Sequence, residues 1–140
     1  MINKTLYSID TYQTDIQRIG EYIKENNIDH IVCVYRGSLP MGVHLSNIHD
    51  LPVSIVKYQT YDNKDKAVSF IHDADLQSSK SYLLLDDIYD TGHTIQTIQL
   101  DLKQFKGKMN TLCVYGKDNL HNVDWLHLHD GSWIEFWWEL

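Results

Sequence analysis

Residues 83–94 read LLLDDIYDTGHT. Three leucines run straight into Asp86 and Asp87, and Asp90, Thr91 and Gly92 follow two residues later. A short continuous apolar run of this kind is the mark of a strand buried on both faces, as in a parallel sheet. Its abrupt acidic end is the carboxyl edge of such a sheet, where open α/β folds bind their ligands. Beyond it Ile95, Ile98, Leu102 and Phe105 recur at helical spacing. The stretch therefore reads as strand, polar turn, helix.

The remainder of the chain repeats that pattern. HIVCVY (30–35), VSIVKYQ (53–59), YLLLDD (82–87), TLCVYG (111–116) and WLHLHD (125–130) are strand candidates. Ile16, Ile19, Tyr22 and Ile23 predict a helix over TDIQRIGEYIKENN, ended by the Asn pair. Pro40 suits the first turn of a second helix through Leu45 and Ile48. The alternation predicts an α/β fold, a mostly parallel twisted sheet flanked by helices. No repeat, low-complexity tract or Pro-rich linker divides the 140 residues, so one domain over 1–140 is expected. Residues 60–79 stand apart, polar at both ends around AVSFI. Loop length alone supports a lid or an ordinary surface hairpin equally.

Composition narrows the function classes. Charged residues are 22% and apolar residues 43%, with a net charge of -7. No whole-molecule field draws such a chain to nucleic acid or anionic lipid, so a bound anion has to be held by local groups. Cys33 and Cys113 each sit in an apolar run and read as reduced, buried thiols. The start MINKTLYSID has no apolar signal core and no run is long enough for a bilayer, so the cytoplasm is the expected compartment. The sequon at Asn3 has no meaning there.

The turn carries chemistry. The amides of Thr91, Gly92, His93 and Thr94 fall where a helix begins, with unpaired donors and a dipole that favours an anion. Gly92 allows close approach, and the threonine hydroxyls add donors. Asp86 and Asp87 cannot hold a phosphate themselves; they suit ribose hydroxyls or a hard cation such as magnesium. Together these features describe a ribose 5-phosphate site. A lone D-D is more often solvated, and D-T-G-x-T alone could be a helix cap. The combination of buried strand, D-D-x-x-D-T-G-x-T and amphipathic helix is much harder to explain as capping. A haloacid-dehalogenase phosphatase needs a D-x-D spacing that these acids do not supply.

That combination resembles the phosphoribosyl-pyrophosphate signature of type I phosphoribosyltransferases. CVYRGSLPMGVHLSN (33–47) is similar to the family's pyrophosphate loop. DGSWIEFWWEL (130–140) resembles the ending of the bacterial xanthine-guanine (6-oxopurine) members. The matches cover residues 30–140 in family order. The resemblance implies the following roles. Asp86 and Asp87 face the ribose hydroxyls and Mg2+, and Asp90 stands near the purine imidazole as proton acceptor or electrostatic stabiliser. Thr91, Gly92, His93 and Thr94 hold the 5-phosphate, and Arg36, Gly37 and Ser38 form the pyrophosphate loop. Lys117 donates to the 6-oxo group, with Trp133 and Ile134 flanking the base. Thr60 and Tyr61 open a lid over about 58–80, and a base-binding hood spans about 117–140. The expected substrates are phosphoribosyl pyrophosphate and a 6-oxopurine, the expected assembly a homodimer or homotetramer.

The sequence also departs from the family. Ser38 replaces a glycine of the loop, where its hydroxyl could donate to pyrophosphate. His93 replaces a common glycine of the cradle, and Trp137 stands where the relatives have proline. Rival readings are a regulator that senses phosphoribosyl pyrophosphate and binds nucleic acid, disfavoured by the charge of -7, and a transferase for nicotinamide or a pyrimidine. His127 and His129 alternate on one strand face, with His121 and Asp130 near in sequence; surface positions are expected for these histidines in preference to a metal site. Asp73 and Asp75 read as solvated acids.

Overall fold

The computed structural model of the chain describes residues 3–61, 65–118 and 122–140. β1 (Lys4–Tyr7) leads into α1 (Ile9–Glu25). Ser8 caps that helix, its Oγ accepting from Thr11 N at 3.2 Å. α1 turns Tyr12, Ile16, Ile19 and Ile23 inward. Next come β2 (His30–Val34), α2 (Leu39–His49) and β3 (Val53–Tyr61), then β4 (Asp65–His72) and β5 (Ser81–Ile88). α3 (His93–Leu102), β6 (Lys108–Gly116), β7 (Val123–Leu128) and β8 (Trp133–Phe136) complete the chain.

The main sheet has the strand order β4-β3-β2-β5-β6-β7. Only the β3–β4 pair is antiparallel. The mostly parallel sheet expected from the sequence is the one observed. β2 is buried along its whole length and β5 from Ser81 to Asp86. Alternate residues serve opposite faces. Ile31, Cys33, Leu83, Leu85, Leu112 and Val114 pack with α1 and α2, whereas Val32, Val34, Leu84 and Cys113 pack with α3. Burial raises the Cys33 thiol to about 12, so it stays a thiol.

The chain runs outward from β2 to β3 and β4, then returns to lay β5 against the other side of β2. β2 and β5 thus form the topological switch point, the place where open parallel sheets have their crevice. Both strands point their carboxyl ends there.

Several boundaries differ from the sequence reading. β7 runs 123–128 and not 125–130, because Val123 pairs with Thr111 and sets the register. α3 stops at Leu102; Phe105 lies past it, and its ring meets Phe70 edge-on at 5.9 Å. β1 was not expected, nor was its parallel pairing with β8 across nearly the whole chain. The odd segment after residue 60 begins as the β3–β4 hairpin, with Thr60 and Tyr61 paired to Lys66 and Asp65. No helix among the described residues is long and apolar enough to cross a membrane.

Candidate active site

Arg36 and Gly37 follow β2, and Asp87 is the last residue but one of β5. They meet in a cavity of about 650 Å³ that Leu39, Pro40, Trp138 and Glu139 complete. The Tyr35–Arg36 peptide is cis. A Cβ on Gly37 would stand 2.1 Å from Asp87 Oδ2, so only glycine lets the loop lie flat against that carboxylate. Asp87 Oδ1 accepts from Ile88 N at 2.8 Å, which fixes its direction.

Ser38 does not face the cavity. It is fully buried; its Oγ accepts from Val34 N at 2.9 Å and donates to Leu85 O at 2.7 Å. The hydroxyl thus ties the loop to β2 and β5, which corrects the expectation that it serves pyrophosphate. Asp86 also differs from the sequence reading. It is buried, and its Oδ1 accepts from Asp87 N at 2.8 Å. Burial, then the neighbouring Asp87, raises its carboxyl well above the usual range. Of the two acids, Asp87 lines the cavity and Asp86 does not.

The turn after β5 is open. Thr91 and His93 are exposed, and Gly92 holds a left-handed φ of 83°. A side chain at Gly92 would strike the Tyr89 hydroxyl. The first α3 bond is Gln96 N to Gly92 O at 2.9 Å, and Thr91 Oγ1 accepts from His93 N at 3.3 Å. Thr94 is half-buried in the first turn. The turn sits on the same carboxyl edge as the cavity without lining it. His93 instead borders a shallow depression with Gln96 and Thr97.

A third group lies at the ends of β5, β6 and β7. Asp90, 67% exposed, accepts from Lys117 Nζ at 3.3 Å, and His129 Nε2 lies 4.0 Å from the same oxygen. Trp133 is 61% exposed, whereas the Ile134 side chain joins the core. The histidines are less superficial than expected. His127 Nε2 donates to buried Asp15 at 2.7 Å, and the His129 ring is only 8% exposed.

The structure therefore joins Arg36, Gly37 and Asp87 in one cavity, and Asp90 with Lys117 nearby. It adds Trp138 and Glu139, which lie in the terminal stretch carrying the resemblance and in the expected hood but to which the sequence reading gives no role of their own. Burial and Asp87 raise the Glu139 carboxyl while Arg36 lowers it, so the three charges share one space. The one available signal was an acid following the terminal aromatic block. The Trp138 indole N–H is buried without a partner among the described residues.

The chain is similar to known proteins in sequence and in fold. The chain is 30% identical over 95 residues to a hypoxanthine/guanine phosphoribosyltransferase of Methanohalobium evestigatum, 59% of this chain and 50% of that relative. It thus spans about half the length of the curated relative it matches. A purine phosphoribosyltransferase of Pyrococcus horikoshii has a similar fold, with a TM-score of 0.84 at 22% identity over 99% of this chain and 96% of that one. A xanthine-guanine-hypoxanthine phosphoribosyltransferase of Helicobacter pylori gives 0.80 at 21% identity over 98% and 94%. The family model for the phosphoribosyl transferase domain matches residues 7–135. That match covers most of the chain, which therefore belongs to the phosphoribosyl transferase domain family.

Proposed function

We propose that this protein is a magnesium-assisted purine phosphoribosyltransferase. It joins phosphoribosyl pyrophosphate to a 6-oxopurine (guanine, xanthine or hypoxanthine) and releases pyrophosphate. The observation that carries this reading is the meeting of Arg36, Gly37 and Asp87 at the β2–β5 switch point, with the acid-to-threonine turn leading from the same strand into α3.

The chemistry follows from the residues. A purine nitrogen attacks C1 of the ribose as the bond from C1 to pyrophosphate breaks, and the electron pair leaves with pyrophosphate. Arg36 and the loop amides offset the charge that develops on that leaving group. The amides at the start of α3 and the Thr91 and Thr94 hydroxyls hold the 5-phosphate, which orients C1. Asp87 takes the ribose hydroxyls, and Asp86 beneath it fixes the Asp87 amide. Asp90 accepts the imidazole proton as the nitrogen becomes bonded to C1, a form of help worth roughly 100- to 10,000-fold. Lys117 donates to the 6-oxo group.

Magnesium fits the donors present. Asp87 and Glu139 present hard carboxylate oxygens to one cavity, which Asp86 does not line. When bound there the ion supplies positive charge to the pyrophosphate oxygens. Water has to be kept from the activated sugar, and the β3–β4 hairpin, opened by Thr60 and Tyr61, is the element suited to cover it. Trp133 offers an exposed ring to the base. Trp133 N donates to Asn3 O at 2.8 Å, so the next residue's carbonyl, that of Ile134, points away from β1, which supports its reading a purine substituent. Assembly as a homodimer or homotetramer in the cytoplasm completes the proposal.

Incubation with Mg2+, phosphoribosyl pyrophosphate and each base in turn, followed by chromatography, tests it. Nucleotide is expected from at least one 6-oxopurine. No product from any of them overturns the reading, and product only from nicotinamide or a pyrimidine replaces it.

A further inference from the structure

The proposed transfer asks two things of neighbouring side chains. Asp90 has to receive a proton from the base while Lys117 attends to an oxygen of that same base. Yet Lys117 Nζ is bonded to Asp90 Oδ1, at 3.3 Å. A base that draws the ammonium onto its oxo group takes away a group that orients the carboxylate.

A second group stands ready. His129 follows β7, and its N–H donates to Gly116 O at 2.6 Å, immediately beside Lys117 in the chain. Its Nε2 is 4.0 Å from the same Asp90 oxygen. The Asp90 side chain is free to move, being largely exposed, whereas the surroundings hold the His129 ring. His129 Nδ1 is buried with no hydrogen-bond partner among the described residues. Buried polar atoms are seldom left unpaired. The ring is therefore not placed to satisfy both its own nitrogens, and the one that finds a charged neighbour is the nitrogen facing Asp90.

We propose that His129 is a positioning residue for Asp90, its Nε2–H taking up the carboxylate when Lys117 turns to the base. In that tautomer Nδ1 carries the lone pair. The charged groups around the ring are Asp90, Lys117 and Asp130. The Asp130 carboxyl is lowered chiefly by its hydrogen bond from Ser132, and His129 adds a smaller part. The inference rests on the transferase reading, because holding Asp90 matters only if Asp90 takes a proton.

Two substitutions and one spectroscopic measurement test it. His129→Leu removes the donor with little change of volume, and His129→Gln returns an amide nitrogen near the Nε2 position. The Leu variant should lose about 10-fold in kcat, with KM for phosphoribosyl pyrophosphate within about twofold of the parent. The Gln variant should recover most of the loss. Equal impairment of the two, or a change confined to KM, overturns the proposal. Independently of turnover, the His129 ring nitrogens can be observed by 15N NMR in the parent and in Asp90→Asn. Loss of the carboxylate should move the Nε2 signal and leave the Nδ1 signal nearly in place. An active parent with an unmoved Nε2 signal removes the role of His129 alone. A parent that forms no nucleotide, with a moved Nε2 signal, leaves the contact standing but removes both the transferase reading and the positioning role.

Discussion

Two carboxylates of this protein sit beside cationic partners and have opposite fates. Asp15, on α1, is 1% exposed. It accepts from the Tyr7 hydroxyl and from His127 Nε2, each at 2.7 Å, and Arg18 approaches to 3.5 Å. Its bonds tie α1 to β1 and β7, and burial followed by the bond to Asp15 drives the Tyr7 hydroxyl far above its ordinary range. Asp87 shares its space with Arg36 and Glu139, but that space is an open cavity. The difference teaches how to separate a structural acid from a working one. The charge is the same; what differs is whether the protein has already used the oxygens. A closed, satisfied carboxylate holds the fold, and one turned to open space has bonding capacity left for a ligand.

That contrast can be broken by experiment, and the largest effect belongs at the cavity. Asp87→Asn should lower kcat/KM by roughly 100- to 1,000-fold while the thermal midpoint stays within about 2 °C of the parent. A large loss of stability instead would put Asp87 in the same class as Asp15. The reverse is expected of Asp15→Ala. It leaves the Tyr7 hydroxyl and His127 without their acceptor and should cost about 2–4 kcal/mol. A melting curve should fall by about 10 °C, with KM for phosphoribosyl pyrophosphate unchanged at a temperature where the variant is folded. An altered KM with normal melting would reverse the assignment.

The smallest effect concerns Asp86, the buried neighbour. Its carboxyl is raised in the folded state by burial and by Asp87. The folded chain then binds the proton more tightly than the unfolded chain. Stability consequently falls as pH rises from the ordinary carboxylate range through the raised value, and the penalty is fully present above it. Asp86→Asn keeps an oxygen to accept the Asp87 amide but removes the charge. It should raise the melting temperature by a few degrees (about 2–4 °C) near neutral pH, and the gain should vanish below about pH 4. A gain that persists in acid would show that ionisation is not its cause.

Much of this was legible in the chain itself. The apolar runs at β2, β5 and β6 and the stripes of α1 and α3 are local patterns, and they fixed the layered α/β arrangement because period and burial are set by neighbours in sequence. The D-D-x-x-D-T-G-x-T turn and Arg36-Gly37 were legible for the same reason, each being a strand end followed by a polar loop. Asp90 and Lys117 lie 27 residues apart and were linked only through resemblance, yet their side chains meet.

Other features had no local signature. Which of Asp86 and Asp87 faces open space depends on the start of α2 and on the C-terminal residues that line the cavity with it. Ser38 could have faced either direction until the Leu85 carbonyl, 47 residues away, claimed its hydroxyl. The β1–β8 pair, the entry of Trp138 and Glu139 into the cavity, and the approach of His129 to Asp90 all join segments distant in sequence. The sequence alone determined the order and type of the central elements and the chemistry of their carboxyl ends, because those follow from neighbouring residues. Only the tertiary structure decided which acids keep free oxygens, because burial is a property of what the rest of the chain brings alongside.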